Sequence, residues 1–296
     1  MRIGYPCINR TIGCSSARTF RLSSYSSKLL VQTVEENLAC LERILHWNKA
    51  HGLYFFRITS DLVPFASHPV CRYPWWLKFL PVFRRIGRFI KSNGMRISMH
   101  PDQFVLLNAK REEVVKSSIR ELVYHARVLD LMELPLSARI QIHLGGVYGD
   151  KEKSIARFIE VFLQLPKEVQ RRLAIENDDR YYNLDDCLYV HKLTGIPVVF
   201  DTFHHQINPN GDSVFVGVRK AAKTWNRRKG PLMVDYSGQE PGARPGTHQQ
   251  TIDLADFARF IAGVKDIEMD IMLEIKDKEK SAIKARALLN SIASQG

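Results

Sequence analysis

Seven acidic or histidine residues stand at the downstream ends of six short apolar runs, and they are the residues best placed to do chemistry. An apolar run of this kind is normally buried, and a charged side chain at its end is costly unless it pairs or binds a metal ion. The repetition therefore predicts one shared site. Its candidate residues are His100, His143, Glu176, Asp201, His204, Asp235 and Glu274.

Histidine and carboxylate side chains from separate segments suit Mn²⁺ or Zn²⁺, whereas Mg²⁺ prefers oxygen ligands. His248, in a long loop, is a further candidate. Two or three ions could bind if a carboxylate such as Glu176 bridges them. Clustered divalent ions stabilise the attacking and leaving oxygens of a phosphoryl displacement. A single strand-end His or Asp is more often a loop cap or core residue, but the combined pattern favours metal ligands.

Strand-like and helix-like segments, which must position these residues, alternate eight times along the 296 residues. This number of βα units is typical of a (β/α)₈ TIM barrel, an α/β fold whose parallel strands all end at one face. We therefore predict a single domain, residues 1–296, with the metal site at the C-terminal face of the strands. The predicted helices cover residues 33–50, 77–92, 111–132, 151–165, 184–193, 213–228, 252–262 and 278–293.

The lengths of the loops are independent evidence that the functional site lies at the C-terminal face of the strands. Connections that enter a strand are short and contain Gly or Pro, as at Gly94 and Pro197. Long connections leave a strand at residues 9–32, 59–76 and 238–251. Long loops without periodicity are uncommon unless they are functional. We therefore expect function at the face where the acidic and histidine residues lie.

The overall charge is strongly basic although the predicted site is rich in carboxylates. Lys and Arg number 43 against 31 Asp and Glu, which gives a formal charge of +12. A basic surface around an acidic pocket suits a polyanion handled through metal ions, although a generally basic surface explains the charge equally well. No apolar run has the length of a membrane span and no secretory signal fits, so we expect a cytoplasmic protein without a membrane partner.

The five cysteines contain no CxxC pair, and their odd number argues against a complete disulfide framework. Structural disulfides are also rare in cytoplasmic proteins. We therefore predict reduced thiols, and we leave open a pair between Cys7 and Cys14.

Gln103 and Phe104 follow His100 on the loop after the third predicted strand. An amide beside an aromatic face is suited to probing nucleic-acid bases. Ordinary loop packing is the alternative, and composition alone favours it for Phe104.

Seven sequence segments, taken in order, resemble the ultraviolet-damage endonucleases. They are GYPCIN, PFASHP, SMHPDQF, IHLGGVYGDK, IENDD, DTFHH and MLEIKDK, and they span residues 4–278. Each segment is weak by itself, but seven in order make the resemblance specific. The resemblance implies a metal-dependent barrel nuclease, related to apurinic-site endonucleases and sugar isomerases, that acts on damaged double-stranded DNA.

The resemblance also implies the reaction and the residues that carry it. We expect metal-activated water to cut duplex DNA immediately 5′ to cyclobutane pyrimidine dimers, 6-4 photoproducts and other lesions, which leaves 3′-hydroxyl and 5′-phosphate ends. The expected catalytic residues are Glu176, Asp201 and Glu274. The implied metal ligands are His100, His143, Glu176, Asp201, His204 and Glu274, with His248 completing a third ion site. The implied DNA-contacting residues are Gln103 and Phe104, which would insert opposite the flipped lesion, and Tyr5, Asn9 and His68 near the damaged nucleotides.

One segment departs from this family. The endonucleases usually have Lys-x-His-Tyr-Ser where this chain has Met233, Val234, Asp235, Tyr236 and Ser237. Asp235 can bind a cation in place of the histidine, but Met233 cannot replace the lysine. A carboxylate in place of an imidazole should favour harder ions. We therefore predict Mn²⁺ first, with Zn²⁺ or Mg²⁺ as alternatives.

These observations together predict a monomeric, metal-dependent DNA repair endonuclease with two or three divalent ions. A sugar isomerase or epimerase could use the same barrel, but it would need neither the basic surface nor the Gln103 and Phe104 pair. A damage-binding protein without nuclease activity, altered at Met233 and Asp235, is the second alternative.

Overall fold

A closed barrel of parallel strands forms the centre of the protein, and the TIM-barrel prediction is confirmed. The structure, a computed structural model, describes residues 1–101 and 104–294. The strands follow one another around the barrel in chain order, and β1 also pairs with β8. The assignment of residues 1–296 to a single domain stays a prediction. The strands are β1 Ile3–Pro6, β2 Phe55–Ile58, β3 Arg96–Met99, β4 Arg139–His143, β5 Leu173–Glu176, β6 Val198–Asp201, β7 Leu232–Tyr236 and β8 Met269–Leu273.

Helices surround the barrel and connect successive strands. Within the described residues, none of them is long and apolar enough to span a membrane. The helices are α1 Ser27–Ala50, α2 Trp75–Lys78, α3 Leu80–Ser92, α4 Glu112–Leu131, α5 Lys151–Gln164, α6 Lys167–Gln170, α7 Leu184–Thr194, α8 Thr202–Ile207, α9 Val214–Ala222, α10 Leu254–Gly263 and α11 Glu279–Ala293.

The predicted helices are present, but the one predicted over 77–92 is divided at Phe79 into α2 and α3, α1 begins earlier than predicted and α9 ends earlier. Helix α1 begins six residues before the predicted start at 33, because the Ser26 side chain caps it by accepting from the Leu29 backbone N–H at 3.2 Å. Helix α9 stops at Ala222 rather than at 228. There the Asn226 side chain accepts from the backbone N–H groups of Arg228 and Lys229, each at 3.1 Å. Such local side-chain bonds compete with helical ones.

The barrel interior changes from apolar to polar along the strands. Side chains two residues apart lie on the same side of a strand. An apolar cluster is formed by Phe55, Ala174, Val199, Met233 and Met272. Two positions further along the same strands stand Arg57, Glu176, Asp201, Asp235 and Glu274. The polar site therefore rests on an apolar floor, and Met233 belongs to that floor.

An ion-pair cluster lies at the opposite end of the barrel, where the strands begin. Asp270, at the start of β8, accepts from Arg96 at 2.9 Å and from Arg2 at 3.0 Å. Asp270 and Arg96 are both buried. The two ends of the barrel thus each contain a buried arginine–aspartate pair.

The prediction that the cysteines are reduced was wrong for Cys14 and Cys40, and the partner considered for Cys14 was also wrong. Cys14 forms a disulfide with Cys40, in the middle of α1. The long loop after β1 folds back over α1, where Asn37 accepts from the Arg18 backbone N–H at 2.9 Å. Cys7 lies at the end of β1, and its backbone N–H donates to the Arg57 carbonyl at 2.8 Å, which keeps it with the barrel strands. The spacing of the cysteines in the sequence does not reveal that the loop after β1 folds back over α1.

Candidate metal centre

The strand-end residues converge inside the barrel, at the C-terminal ends of β3 to β8. Among the described residues they form three overlapping sets, and the potential ligand atoms within each set lie within 4.8 Å of one another. Glu176 belongs to two of the sets and Asp201 to two. The sets are His100 with His143 and Glu176, Glu176 with Asp201 and His204, and Asp201 with Asp235 and Glu274. A parallel barrel produces this convergence because all its strands end at one face.

Glu176 is the central carboxylate of these sets. Its side chain is 1% exposed, and its oxygens lie 3.4 Å from His100 Nε2, 3.8 Å from His143 Nε2 and 3.2 Å from His204 Nδ1. Burial alone would raise the pKa of Glu176, but the facing imidazoles hold it well below its usual range. Glu176 is therefore an ionised carboxylate surrounded by three imidazoles, and it can bridge two cations.

Asp201 ends β6 and caps the short helix α8. One of its oxygens accepts from the His204 backbone N–H at 2.7 Å, which turns the His204 side chain back toward Glu176. In the described part of the chain, the buried Oδ2 atom of Asp201 has no hydrogen-bond partner. Burial raises the pKa of Asp201 well above its ordinary value. A buried oxygen without a partner is costly, and a bound cation would satisfy it.

His100 and His143 present adjacent rings to Glu176, with centroids 5.2 Å apart. The Nδ1 atom of His100 lies 2.9 Å from the Pro101 carbonyl oxygen, which orients the ring with Nε2 toward Glu176. Burial lowers the pKa of His143 and so favours its neutral form. A neutral imidazole oriented by a backbone carbonyl is the usual form of a metal-binding histidine. The donor set thus fits divalent transition-metal ions.

Asp235 is close to these residues but is already paired. Both of its oxygens accept from Arg57 Nη2, at 2.9 and 2.8 Å, and Gln141 Nε2 donates to it at 2.5 Å. The other terminal nitrogen of Arg57 donates to Glu274. Burial would raise the pKa of Glu274, but Arg57 holds it at about 2. The prediction that Asp235 binds metal stays a prediction, and the structure gives it a strong competing partner.

His248 lies at the edge of the site. Its loop is held by a bridge between Gln239 and His248, and its ring centroid is 6.4 Å from that of His204. It is not part of the three close donor sets found in residues 1–101 and 104–294. With His100, His143 and His204 it lines an open cleft of about 610 Å³ above Glu176. The donor residues are therefore accessible to a large ligand.

A family model described as "UV-endonuclease UvdE" matches residues 1–294. The chain belongs to the UV-endonuclease UvdE family. It is 36% identical over 294 residues to the UV DNA damage endonuclease of Clostridium perfringens (strain 13 / Type A), covering 99% of this chain and 71% of that protein. It is 32% identical over 302 residues to the enzyme of the same name from Bacillus thuringiensis subsp. konkukian (strain 97-27), covering 99% and 95%. The resemblance inferred from the motifs is confirmed.

Three solved structures have folds similar to that of this chain. The crystal structure of SacUVDE matches with a TM-score of 0.95 and 47% identity, and it covers 99% of both chains. Endonuclease IV from Thermus thermophilus matches with a TM-score of 0.61 at 16% identity, covering 98% of this chain and 100% of that one. D-psicose 3-epimerase from Clostridium cellulolyticum H10 matches at 0.55 and 15%, covering 84% and 91%. The last two matches show the fold alone.

The residues predicted to contact DNA are divided between the surface and the core of this UvdE family member. Phe104 is 82% exposed, and His68 is exposed on the loop after β2. Both line one cleft, of about 260 Å³, between that loop and α4. Gln103 lies outside the described residues. The predicted contacts with DNA stay predictions, but Phe104 and His68 are available for them.

Tyr5 and Asn9 are not at the surface. The Tyr5 hydroxyl donates to Asn48 at 2.6 Å and accepts from Asn9 at 2.9 Å, and its ring packs edge-on against Phe56. Asn9 also accepts from the Thr11 backbone N–H at 2.9 Å. The structure gives this pair a structural role beneath the loop after β1. Direct contact of either residue with damaged nucleotides stays a prediction that this geometry does not support.

Three residues that position the metal donors were not selected from the sequence. They are Arg57, which donates to Asp235 and Glu274, Gln141, which donates to Asp235 and Glu176, and Asn177, which binds both backbone groups of Asp201 at 3.0 Å. Arg57 is a charged residue within the apolar strand FFRI, and Gln141 is a polar one within RIQIH. Arg57 and Gln141, like the predicted ligands, are polar residues in buried strands. They were not predicted because they lie inside their strands, whereas only polar residues at strand ends were selected.

Proposed function

We propose that this chain is a metal-dependent endonuclease that nicks UV-damaged duplex DNA immediately 5′ to the lesion, leaving 3′-hydroxyl and 5′-phosphate ends. One observation carries the proposal: in a member of the UvdE family, three donor sets overlap at Glu176 and Asp201, and the histidines of two of these sets line an open cleft. Shared carboxylates are the arrangement that holds metal ions close enough to act on one phosphate group.

His100, His143 and Glu176 would hold one ion, and Glu176, Asp201 and His204 a second. Mn²⁺ is the proposed ion because the donors are mixed nitrogen and oxygen; Zn²⁺ and Mg²⁺ are the alternatives. Such ions supply a polarised water and stabilise charge on the attacking and leaving oxygens of the phosphodiester.

The protein's own contribution is orientation and charge. Asn177 fixes the backbone of Asp201, and the Asp201 cap fixes the start of α8, which carries His204. Gln141 donates to Glu176 and leaves the other Glu176 oxygen facing His204. These contacts hold the donors in place before DNA arrives, so that little reorganisation accompanies the reaction.

The substrate is inferred from charge and from the exposed aromatic residue. The net charge of +12 includes all four site carboxylates, so the surface outside the site is more basic still. Lys276 and Lys278 line a cleft of about 430 Å³ that adjoins the donor histidines. We propose that these cations contact phosphates while Phe104 occupies the space left by the extruded lesion. A monomer is sufficient for this arrangement.

A duplex that contains one cyclobutane dimer, labelled at the 5′ end of the damaged strand, tests the proposal. With Mn²⁺, we expect a single product that ends at the phosphodiester immediately 5′ to the dimer and that a DNA polymerase can extend. The undamaged duplex is the control. Glu176→Ala should lower the nicking rate roughly 10²–10³-fold or more, while the variant still binds the damaged duplex. Unchanged nicking by Glu176→Ala, or cutting of both duplexes alike, would rule the proposal out.

A further inference from the structure

We propose that the guanidinium of Arg57 is a built-in cation of the metal centre, so that the centre binds two divalent ions and Asp235 is the partner of Arg57 rather than a metal ligand. This inference rests on the proposed metal-dependent function. It assigns Arg57 as a positioning residue, because Arg57 acts through the carboxylates that it contacts.

The geometry of Arg57 is that of a buried ion pair made by both of its terminal nitrogens. Arg57 projects from β2 into the barrel and is 3% exposed. Its Nη2 atom donates to both oxygens of Asp235 and to Gln141 Oε1, at 2.8 to 3.0 Å, and its Nη1 atom donates to Glu274. A guanidinium has a fixed fork of donors that matches carboxylates, and it is always charged. Arg57 therefore places a permanent positive charge between Asp235 and Glu274.

The same contacts argue against a third ion. The donor set of Asp201, Asp235 and Glu274 is the third possible site in the described residues, but Arg57 is bonded to two of its three members. A divalent ion there would lie beside a buried guanidinium, and like charges at short distance in a buried site repel strongly. Met233, on the apolar floor beneath, offers no charged ligand that would compensate.

Charge balance points to the same number of ions. When ionised, Glu176, Asp201, Asp235 and Glu274 bring four negative charges, and Arg57 returns one positive charge. Two divalent ions would leave the centre at +1, which the single negative charge of a phosphodiester cancels. Three ions would leave it at +3, or +2 with the same phosphodiester, and uncompensated charge among buried side chains is costly.

Arg57 and Asp235 are also connected to Glu176, one of the proposed metal ligands, through Gln141. Gln141 accepts from Arg57, donates to Asp235 at 2.5 Å, and donates to Glu176. Arg57 and Asp235 thus hold the amide that orients Glu176. Asp235 contributes to metal binding through this chain of contacts, which is the role of a supporting residue rather than of a ligand.

The test counts Mn²⁺ ions bound per chain, by equilibrium dialysis followed by elemental analysis. We expect two ions in the wild-type protein and also two in Asp235→Asn, because asparagine can still accept from Arg57. The Mn²⁺ affinity of Asp235→Asn should fall by no more than about 10–100-fold, the usual cost of altering a residue that orients a ligand, whereas Glu176→Gln, which alters a ligand shared by both ions, should lose more. Three ions in the wild type, or the loss of one whole ion in Asp235→Asn, would overturn the inference.

Variants at Arg57 test the cation directly. Arg57→Lys keeps a positive charge and should still bind two ions, whereas Arg57→Gln should admit a third. Two ions in a folded Arg57→Gln protein would contradict the inference. If Arg57→Gln does not fold, the counts for the wild type and Asp235→Asn decide the matter. Arg96→Gln is the matched control, because it breaks the buried pair with Asp270 at the other end of the barrel and should leave the count at two.

Nicking of irradiated duplex, measured on the same preparations, separates this inference from the proposed function. Wild-type protein that nicks and binds three ions would overturn the role of Arg57 and leave the endonuclease proposal intact. Protein that binds two ions but does not nick any damaged duplex would count against the endonuclease proposal and leave the assignment of Arg57 standing.

Discussion

At the scale of single residues, neutral amides hold the charged groups of the candidate metal centre in position. Asn177 follows Glu176 directly and binds the N–H and C=O of Asp201 across the β5–β6 edge, each at 3.0 Å. These bonds continue the strand pairing beyond the last residue of β5. Because Glu176 and Asp201 are each shared by two donor sets, Asn177 links two of the most important carboxylates.

We predict that Asn177→Ala lowers the affinity for Mn²⁺ by about 10–100-fold, the usual effect of losing a residue that orients a ligand. The removed amide leaves Asp201 free to shift and leaves two backbone groups without partners. Isothermal titration of Mn²⁺ measures this effect. Asn93→Ala, which removes an amide that caps α3 through the Phe89 carbonyl, should leave the affinity unchanged; equal losses in both variants would contradict the prediction.

Phe104 offers a second prediction at this scale, because its side chain is 82% exposed and adds little to the core. We expect Phe104→Ala to weaken binding of a dimer-containing duplex by about 1–3 kcal/mol, the magnitude of a lost stacking contact. The thermal midpoint should change little. Leu77→Ala, at another exposed apolar residue, is the control for binding. A large loss of stability with no loss of binding would favour the packing alternative for Phe104.

At the scale of elements, the loop after β1 is held to α1 rather than left free over the barrel. The Cys14–Cys40 disulfide and the two-way contact between Asn37 and Arg18 attach it to α1. Asn37 also donates to the Leu62 carbonyl at 3.2 Å, so the loops after β1 and β2 share one anchor. Two of the three long loops at the C-terminal face of the strands are therefore positioned by a single helix.

We predict that Cys40→Ser lowers the free energy of unfolding by about 3 kcal/mol, because a cross-link over this separation restricts the unfolded chain. Urea denaturation measures the loss. A reducing agent should lower the stability of the wild type by a similar amount and leave Cys40→Ser unaffected. A reductant effect of equal size on both proteins would show that the disulfide is not the cause.

At the scale of the whole molecule, the +12 charge and the carboxylate-rich barrel end have opposite effects on DNA. The basic surface attracts the phosphate backbone from any direction. The carboxylates repel it locally until cations neutralise them. Under the proposed function, this division would let one protein hold a polyanion and still place its chemistry in an acidic pocket.

We therefore predict that binding to undamaged duplex weakens steeply as the salt concentration rises. A plot of the logarithm of the binding constant against the logarithm of the salt concentration should have a slope of about −0.9 for each phosphate neutralised. Damaged duplex should show a similar slope and a higher affinity at every salt concentration, because recognition of the lesion is less ionic. Fluorescence anisotropy over a range of salt concentrations measures both. A salt-independent affinity for undamaged duplex would exclude the backbone as the main contact.

The sequence by itself determined the barrel, its face and the types of donor. Alternating strand and helix patterns define βα units, parallel strands all end at one face, and buried carboxylates and histidines at their ends must pair or bind a metal ion. From these rules the sequence alone assigns His100, His143, Glu176, Asp201 and His204 to one site.

Only the tertiary structure decided which groups are partners. Arg57 and Asp235 are 178 residues apart in the chain and bonded in the fold, Cys14 is joined to Cys40 rather than to Cys7, and Tyr5 is turned into the core. The physical reason is the same in each case. Periodicity reports the face of an element on which a side chain lies, whereas pairing depends on barrel register and on the path of loops, which are set by contacts between residues distant in sequence.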